Sequence, residues 1–160
     1  RGIEFSDETI FKGSNFILVP TQKNKSETIE SVKDLATKME FGRICTLSIE
    51  EHDKMIGFLS QLTHVIAVSL MNTHDNAHLV EYTGDSFRDL TRIAKINEDL
   101  WTELFIMNKE ILLDEINQFI DSISHFRDSL EQEDTQEMKR LFIQSTKRRD
   151  KFNKTDAKKK

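Results

Sequence analysis

The densest run of side chains able to do chemistry is Asp85-Ser86-Phe87-Arg88-Asp89-Leu90-Thr91-Arg92. Arg88 and Arg92 lie four apart and share a helix face, and Asp89 stands three before Arg92, where its carboxylate can orient the guanidinium. A guanidinium held this way is a pre-aimed fork for a carboxylate or a phosphate. The same spacing also describes a solvated helix face laced with ion pairs, and spacing alone does not favour the site. His64 and Trp101 are the other candidates. Each also has a bland reading, His64 as a satisfied core histidine and Trp101 as one member of an apolar stripe. His74 and His78 have the i, i+4 spacing of a metal pair, but no third ligand stands nearby, so they read as surface residues.

The element that must position His64 is a long, largely apolar helix over Ser48–Asn72. Ser48 and Glu51 form an S-x-x-E capping box at its start. At 100° per residue Asp53, Gly57, Ser60, Gln61 and His64 share one narrow arc, while Met55, Phe58, Leu59, Leu62, Val65, Ile66 and Leu70 fill the opposite half. A helix this apolar is buried on several sides, and a polar strip on it is costly unless something satisfies it. A second S-x-x-[DE] pattern, Ser86 to Asp89, predicts a short helix from about Phe87 to Lys95 carrying Arg88 and Arg92. Asn97 then caps a helix predicted to run unbroken through Trp101 to Phe126, and after a charged break at Glu131–Asp134 a last helix covers Gln136–Phe152.

The first part of the chain is different. Phe16–Val19 is a short apolar run closed by Pro20, Ser26 is a candidate N-cap for a helix through Met39, Gly42 stops it, and Arg43–Leu47 alternates as a strand. Strand, helix, strand is the order of an α/β sheet, yet two strands and one helix do not make a stable sheet domain. The fold class is therefore mainly α, with a short strand-helix-strand segment ahead of the helices. The apolar helical circumference exceeds what about 100 residues can cover, which predicts an intertwined helical dimer.

Composition bounds the rest. The chain has 160 residues, a formal net charge of −5 and one cysteine, Cys45. The length suits one modest domain, and the charge gives no general case for nucleic acid. One cysteine excludes an internal disulfide framework and fits a reducing cytoplasm. No run of about 18 uninterrupted apolar residues predicts a membrane span. The lysine-rich end (Lys154, Lys158 to Lys160) lacks aromatic interleaving beyond Phe152 and reads as a basic, disordered tail over 153–160. No G-x-G-x-x-G, Walker A, C-x-x-C or G-x-S-x-G pattern is present.

Read together, Glu51-His52-Asp53, Ser60-Gln61-Leu62-Thr63-His64, Phe87-Arg88-Asp89-Leu90-Thr91-Arg92-Ile93-Ala94 and Trp101 nine residues after Arg92 resemble the prephenate dehydrogenase family. The order and spacing match from Gly2 to about Arg149, and Gly2–Phe5 through Phe11-Lys12-Gly13 looks like the segment just after the catalytic histidine loop in that family. The resemblance implies a C-terminal portion of such an enzyme. Residues 1–48 would be the remnant of a Rossmann-type cofactor domain, 49–152 the all-helical dimerisation and substrate domain, and 153–160 the tail. It implies oxidative decarboxylation of prephenate to 4-hydroxyphenylpyruvate, in tyrosine biosynthesis, by a cytoplasmic homodimer with NAD or NADP. Neither nucleic acid nor membrane is implied as a partner.

The resemblance further implies substrate-site roles for four residues. Arg92 would bind a substrate carboxylate, His64 would line the pocket beside it, Trp101 would pack there and Asp89 would position Arg92. The catalytic histidine and the cofactor motif are expected upstream of Arg1, so no catalytic residue is assigned in this chain, and the fragment alone is expected to be inactive. The sequence departs from the family pattern at Gln61, where many members carry a second histidine, at Thr63, where many carry proline, and at Gly84-Asp85-Ser86, where many have a Gly-rich run. Arogenate or dual cyclohexadienyl specificity stays open, as does a non-catalytic dimerisation or regulatory module.

Overall fold

The computed structural model describes residues 3–7, 9–75 and 77–152. Gly2, Asn76 and the expected tail at 153–160 lie outside the described residues. The chain divides into two compact units, residues 1–112 and 113–160.

In the first unit, β1 (Asn15–Leu18) and β2 (Arg43–Thr46) pair in parallel, with Asn15 opposite Arg43 and Leu18 opposite Thr46. Parallel strands need a crossover, and α1 (Ser26–Lys38) supplies it. Ser26 is the first helical residue rather than the cap; Lys25 holds the cap position and makes no side-chain cap bond. The helix ends at Lys38, ahead of Gly42, with Glu40 at φ 59° turning the chain back. Gly42 has another task. A Cβ there would stand 2.9 Å from the Gly13 backbone, so the strand-end loops can meet only through glycine. Phe41 packs beside this contact, its ring 5.1 Å from Phe11 and 4.8 Å from Phe16. Cys45 is half-buried, its Sγ 3.8 Å from the Phe16 carbonyl.

The long helix forms as predicted at its start. Ser48 accepts from the Glu51 N–H, and the Glu51 carboxylate accepts from the Ser48 N–H at 2.8 Å and its hydroxyl at 2.9 Å. These bonds, the backbone one first, hold the Glu51 carboxyl below its usual range. The helix is not uniform, however. α2 (Ile49–Ile56) passes into a π-turn over Gly57–Gln61, where the Leu62 N–H reaches back five residues to the Gly57 carbonyl, and α3 (Leu62–Asn72) resumes regular geometry. By length and composition Ile49–Asn72 is apolar enough to cross a membrane, although no long uninterrupted apolar run announces it. Beyond it come a 3-10 turn at Ala77–Tyr82, α4 (Asp85–Thr91), a 3-10 turn at Arg92–Ala94 and α5 (Glu98–Met107).

Two helix predictions are corrected here. The Ser86–Asp89 box does not form; α4 starts two residues earlier, at Asp85 after Gly84, without a side-chain cap. The helix from Asn97 does not run unbroken to Phe126. Asn97 caps α5 by accepting from the Leu100 N–H, but the helix ends at Met107, Asn108 leaves helical geometry at φ −115°, ψ 29°, and α6 (Lys109–Glu131) starts afresh.

The second unit is the rest of α6 with α7 (Thr135–Asp150), joined through Glu133 at φ 51° and capped by Asp134, which accepts from the Glu137 N–H. Phe126 and Phe142 meet across this hairpin at 6.0 Å.

Burial is thin in both units. Among the described residues only Ala36, Leu62, Ala67 and Leu112 are buried apolar side chains, and no large side chain is wholly enclosed. Phe58 is 53% exposed, Leu59 51%, Ile106 67% and Met107 77%, on the helices expected to meet a second copy.

Candidate functional site

His64 stands in the first turn of α3 and Trp101 one turn into α5. Their rings stack at 3.7 Å between centroids and 29° between planes, and Phe105, one turn on, meets the Trp101 ring edge-on at 5.5 Å. The His64 Nδ1 lies 2.9 Å from the Ser60 carbonyl. A carbonyl only accepts, so Nδ1 carries the proton, and Nε2 is left as the free ring nitrogen. Among the described residues Nε2 makes no hydrogen bond. His64 is thus half-buried, fixed in plane and tautomer, and leaves Nε2 accessible to solvent.

The predicted polar strip is satisfied in an unforeseen way. Gln61, 4% exposed, donates from Nε2 to the Leu104 carbonyl at 3.0 Å. Its Oε1 accepts from Asn108 Nδ2 at 2.7 Å, and the same Nδ2 donates to the Asp53 carbonyl at 3.1 Å. Both terminal acceptors are backbone carbonyls, so chemistry dictates the orientation of both amides. The π-turn makes this possible. One extra residue in the turn shifts everything after it by about 100° relative to a regular wheel. Gln61 comes round toward the azimuth of Asp53, and one asparagine can reach both. The fixed-period arc is to that extent wrong, but the prediction that the strip must be paired is right.

Arg92 opens the 3-10 turn that packs against α3, the helix of His64, and its side chain is exposed and without an ion-pair partner among the described residues. Asp89 is exposed too, and it makes no bond to Arg92; the ion pair in this run joins Arg88 to Asp85 at 3.6 Å, with both side chains largely exposed. Asp89 and Arg92 stand on either side of the end of α4 at Thr91, and across it they do not pair. The structure therefore brings His64 and Trp101 into contact, sets the Arg92 turn against the same helix and leaves Asp89 apart.

No group of three metal-ligating side chains exists among the described residues. The residues sequence reasoning missed are Asn108 and the Gln61 bonds. One signal was available: an asparagine in the interior of a long predicted helix is a poor helix former and marks a place where the side chain has other work.

The family description "Prephenate dehydrogenase, dimerization domain" matches residues 48–144. The prephenate dehydrogenase of Bacillus subtilis (strain 168) is 32% identical over 146 residues, covering 88% of this chain and 39% of that protein. The cyclohexadienyl dehydrogenase of Zymomonas mobilis is 28% identical, covering 88% of this chain and 50% of that protein. The chain thus spans half or less of these relatives. Among solved structures, the prephenate dehydrogenase of A. aeolicus in complex with hydroxyphenyl propionate and NAD+ superposes with a TM-score of 0.83 at 28% identity, covering 95% of this chain and 55% of that one. The arogenate dehydrogenase of Synechocystis gives a TM-score of 0.80 at 20% identity, covering 94% of this chain and 56% of that one, which shows a shared fold.

Proposed function

This chain belongs to the prephenate dehydrogenase family, and on that premise we propose that it is the substrate-binding and dimerising portion of an enzyme that oxidatively decarboxylates prephenate with NAD or NADP. Residues 1–48 are the end of the cofactor domain, 49–152 the helical domain, and 153–160 a basic tail. The reading rests above all on His64, a ring locked by Ser60 and Trp101 with its Nε2 left over. A dianionic substrate entering a partly dry cleft needs a cation and further donors. Arg92, exposed and unpaired among the described residues, is the cation for a substrate carboxylate. His64 lines the pocket beside it with Nε2, an acceptor in this tautomer, and Trp101 supports the ring. Asp89 keeps a role only as a carboxylate near the guanidinium once substrate draws Arg92 in.

The present residues do not fit a nicotinamide dinucleotide on their own. The loop after β1 is Val19-Pro20-Thr21-Gln22-Lys23-Asn24-Lys25, with no glycine to let backbone approach a pyrophosphate. Cofactor binding and the catalytic histidine are accordingly assigned to residues outside this sequence, and the 160-residue chain alone is expected to turn over nothing. The exposed apolar side chains of the long helix and of α5 are assigned to a second copy in the dimer.

The test is steady-state kinetics of Arg92→Ala in the full-length enzyme. A KM for prephenate raised at least tenfold with kcat largely kept supports the reading, and unchanged kinetics favour a non-catalytic dimerisation module. Running arogenate in parallel separates the second specificity, which the similarity to a cyclohexadienyl dehydrogenase keeps in view.

A further inference from the structure

We infer that Asn108 is a positioning residue for His64, acting by holding the π-turn in the helix before it. The π-turn is the less common geometry, and without restraint the helix gains by relaxing to regular α. Relaxation would rotate Leu62–Asn72 by about 100° against Ile49–Ile56 and carry His64 away from Trp101. Asn108 opposes this at two points. Its one amide nitrogen is bonded to the Asp53 carbonyl before the turn and to the Gln61 side chain at its end. Gln61 in turn holds the Leu104 carbonyl, one turn beyond Trp101 on α5. The two helices that carry the stacked rings are thus tied through the buried Gln61 and the half-buried Asn108, and the break between α5 and α6 lies at the residue that makes the tie.

The consequence reaches the ring itself. Ser60, inside the π-turn, is the residue whose carbonyl accepts from His64 Nδ1, at 2.9 Å, and from the Thr63 hydroxyl, at 2.6 Å. The i, i−4 bond to Ser60 is open to any helix; the stack on Trp101, which the π-turn brings about, keeps the ring in the rotamer that makes it, and Asn108 holds the π-turn. The Asn108 amide nitrogen is committed to Asp53 and Gln61. Its effect on the reaction passes through His64, and that part rests on the reading of His64 as a substrate-site residue.

The experiment uses full-length enzyme with 15N-labelled histidine, the His64 signals assigned by a His64→Gln control. Ring nitrogen shifts are read at about pH 8, above the ordinary histidine pKa. In the unaltered protein His64 shows the Nδ1–H form. In Asn108→Ala its signals move toward a tautomer mixture while helix content and dimer mass stay as they were, and kcat/KM for prephenate falls about tenfold, mostly through KM. Should Asn108→Ala not fold, Asn108→Ser keeps a single donor that cannot span both acceptors, and it is expected to give a smaller shift in the same direction. His64 signals identical to the unaltered protein in a folded variant overturn the inference. Shifted signals with unchanged kinetics uphold the positioning and overturn instead the substrate-site role of His64.

Discussion

The two units hold themselves with opposite kinds of polar contact. In the first, the contacts that matter are neutral and largely shielded from water: the buried Gln61, the half-buried Asn108 and two backbone carbonyls between the long helix and α5. In the second, the hairpin is clasped by charge at its surface. Glu137 accepts from Arg140 Nε at 2.6 Å and from its Nη2, and His125 Nε2 lies 2.8 Å from the same carboxylate. Those hydrogen bonds, from Arg140 first and His125 second, pull the Glu137 carboxyl down to about 2. The buried set has few alternatives and fixes geometry closely; the exposed set exchanges readily with water and salt. The site sits on the buried kind, as expected where a ring must be held in one plane.

The sharpest way to break this contrast is Gln61→Leu. It fits the space but leaves the Leu104 carbonyl and one Asn108 donor bond unmet, and a buried unmet polar group costs about 1–3 kcal/mol. Urea unfolding should show a loss in that range at both low and high salt. A salt-dependent loss would mean that the region is wetter than its geometry implies. A smaller effect, about 1 kcal/mol, is expected for Ser48→Ala, which removes the hydroxyl half of the capping box.

The hairpin should behave in the reverse manner. Glu137→Gln should cost little, and the loss should shrink toward nothing at about 1 M salt, where charges are screened within about 3 Å. Its pH dependence has a definite sign. A carboxyl lowered in the folded state contributes stability that is fully present above its ordinary 4.5 and is lost as pH falls through about 2. Hairpin helicity, read by circular dichroism, should fall over that window in the unaltered chain, and part of the fall should be missing in Glu137→Gln. An identical acid profile in both would contradict the clasp.

Much of this was legible in the sequence. The strand-helix-strand order, the Ser48 box, the need to satisfy the polar strip and the surplus of apolar helix surface all come from local spacing. What was not legible depends on departures from fixed periods. A wheel drawn at 100° cannot anticipate a π-turn, so it placed Gln61 correctly on the polar side without showing that Asp53 and Gln61 come within reach of one amide. Asn108 was absorbed into an unbroken stripe because the apolar residues on either side keep their rhythm. His125 and Glu137 are 12 residues apart and meet only because the chain reverses at Glu133, which no pairwise spacing on one helix reveals.

The role proposed for Arg92 is to take a carboxylate of the substrate at the site His64 lines. Calorimetric titration of prephenate into the full-length enzyme without cofactor tests it apart from turnover. A hydrogen-bonded charge pair is worth about 2 kcal/mol, which corresponds to about 30-fold in affinity. Arg92→Ala should weaken binding by about that factor while the dimer stays intact. An unchanged Kd in an intact dimer would contradict that role for Arg92.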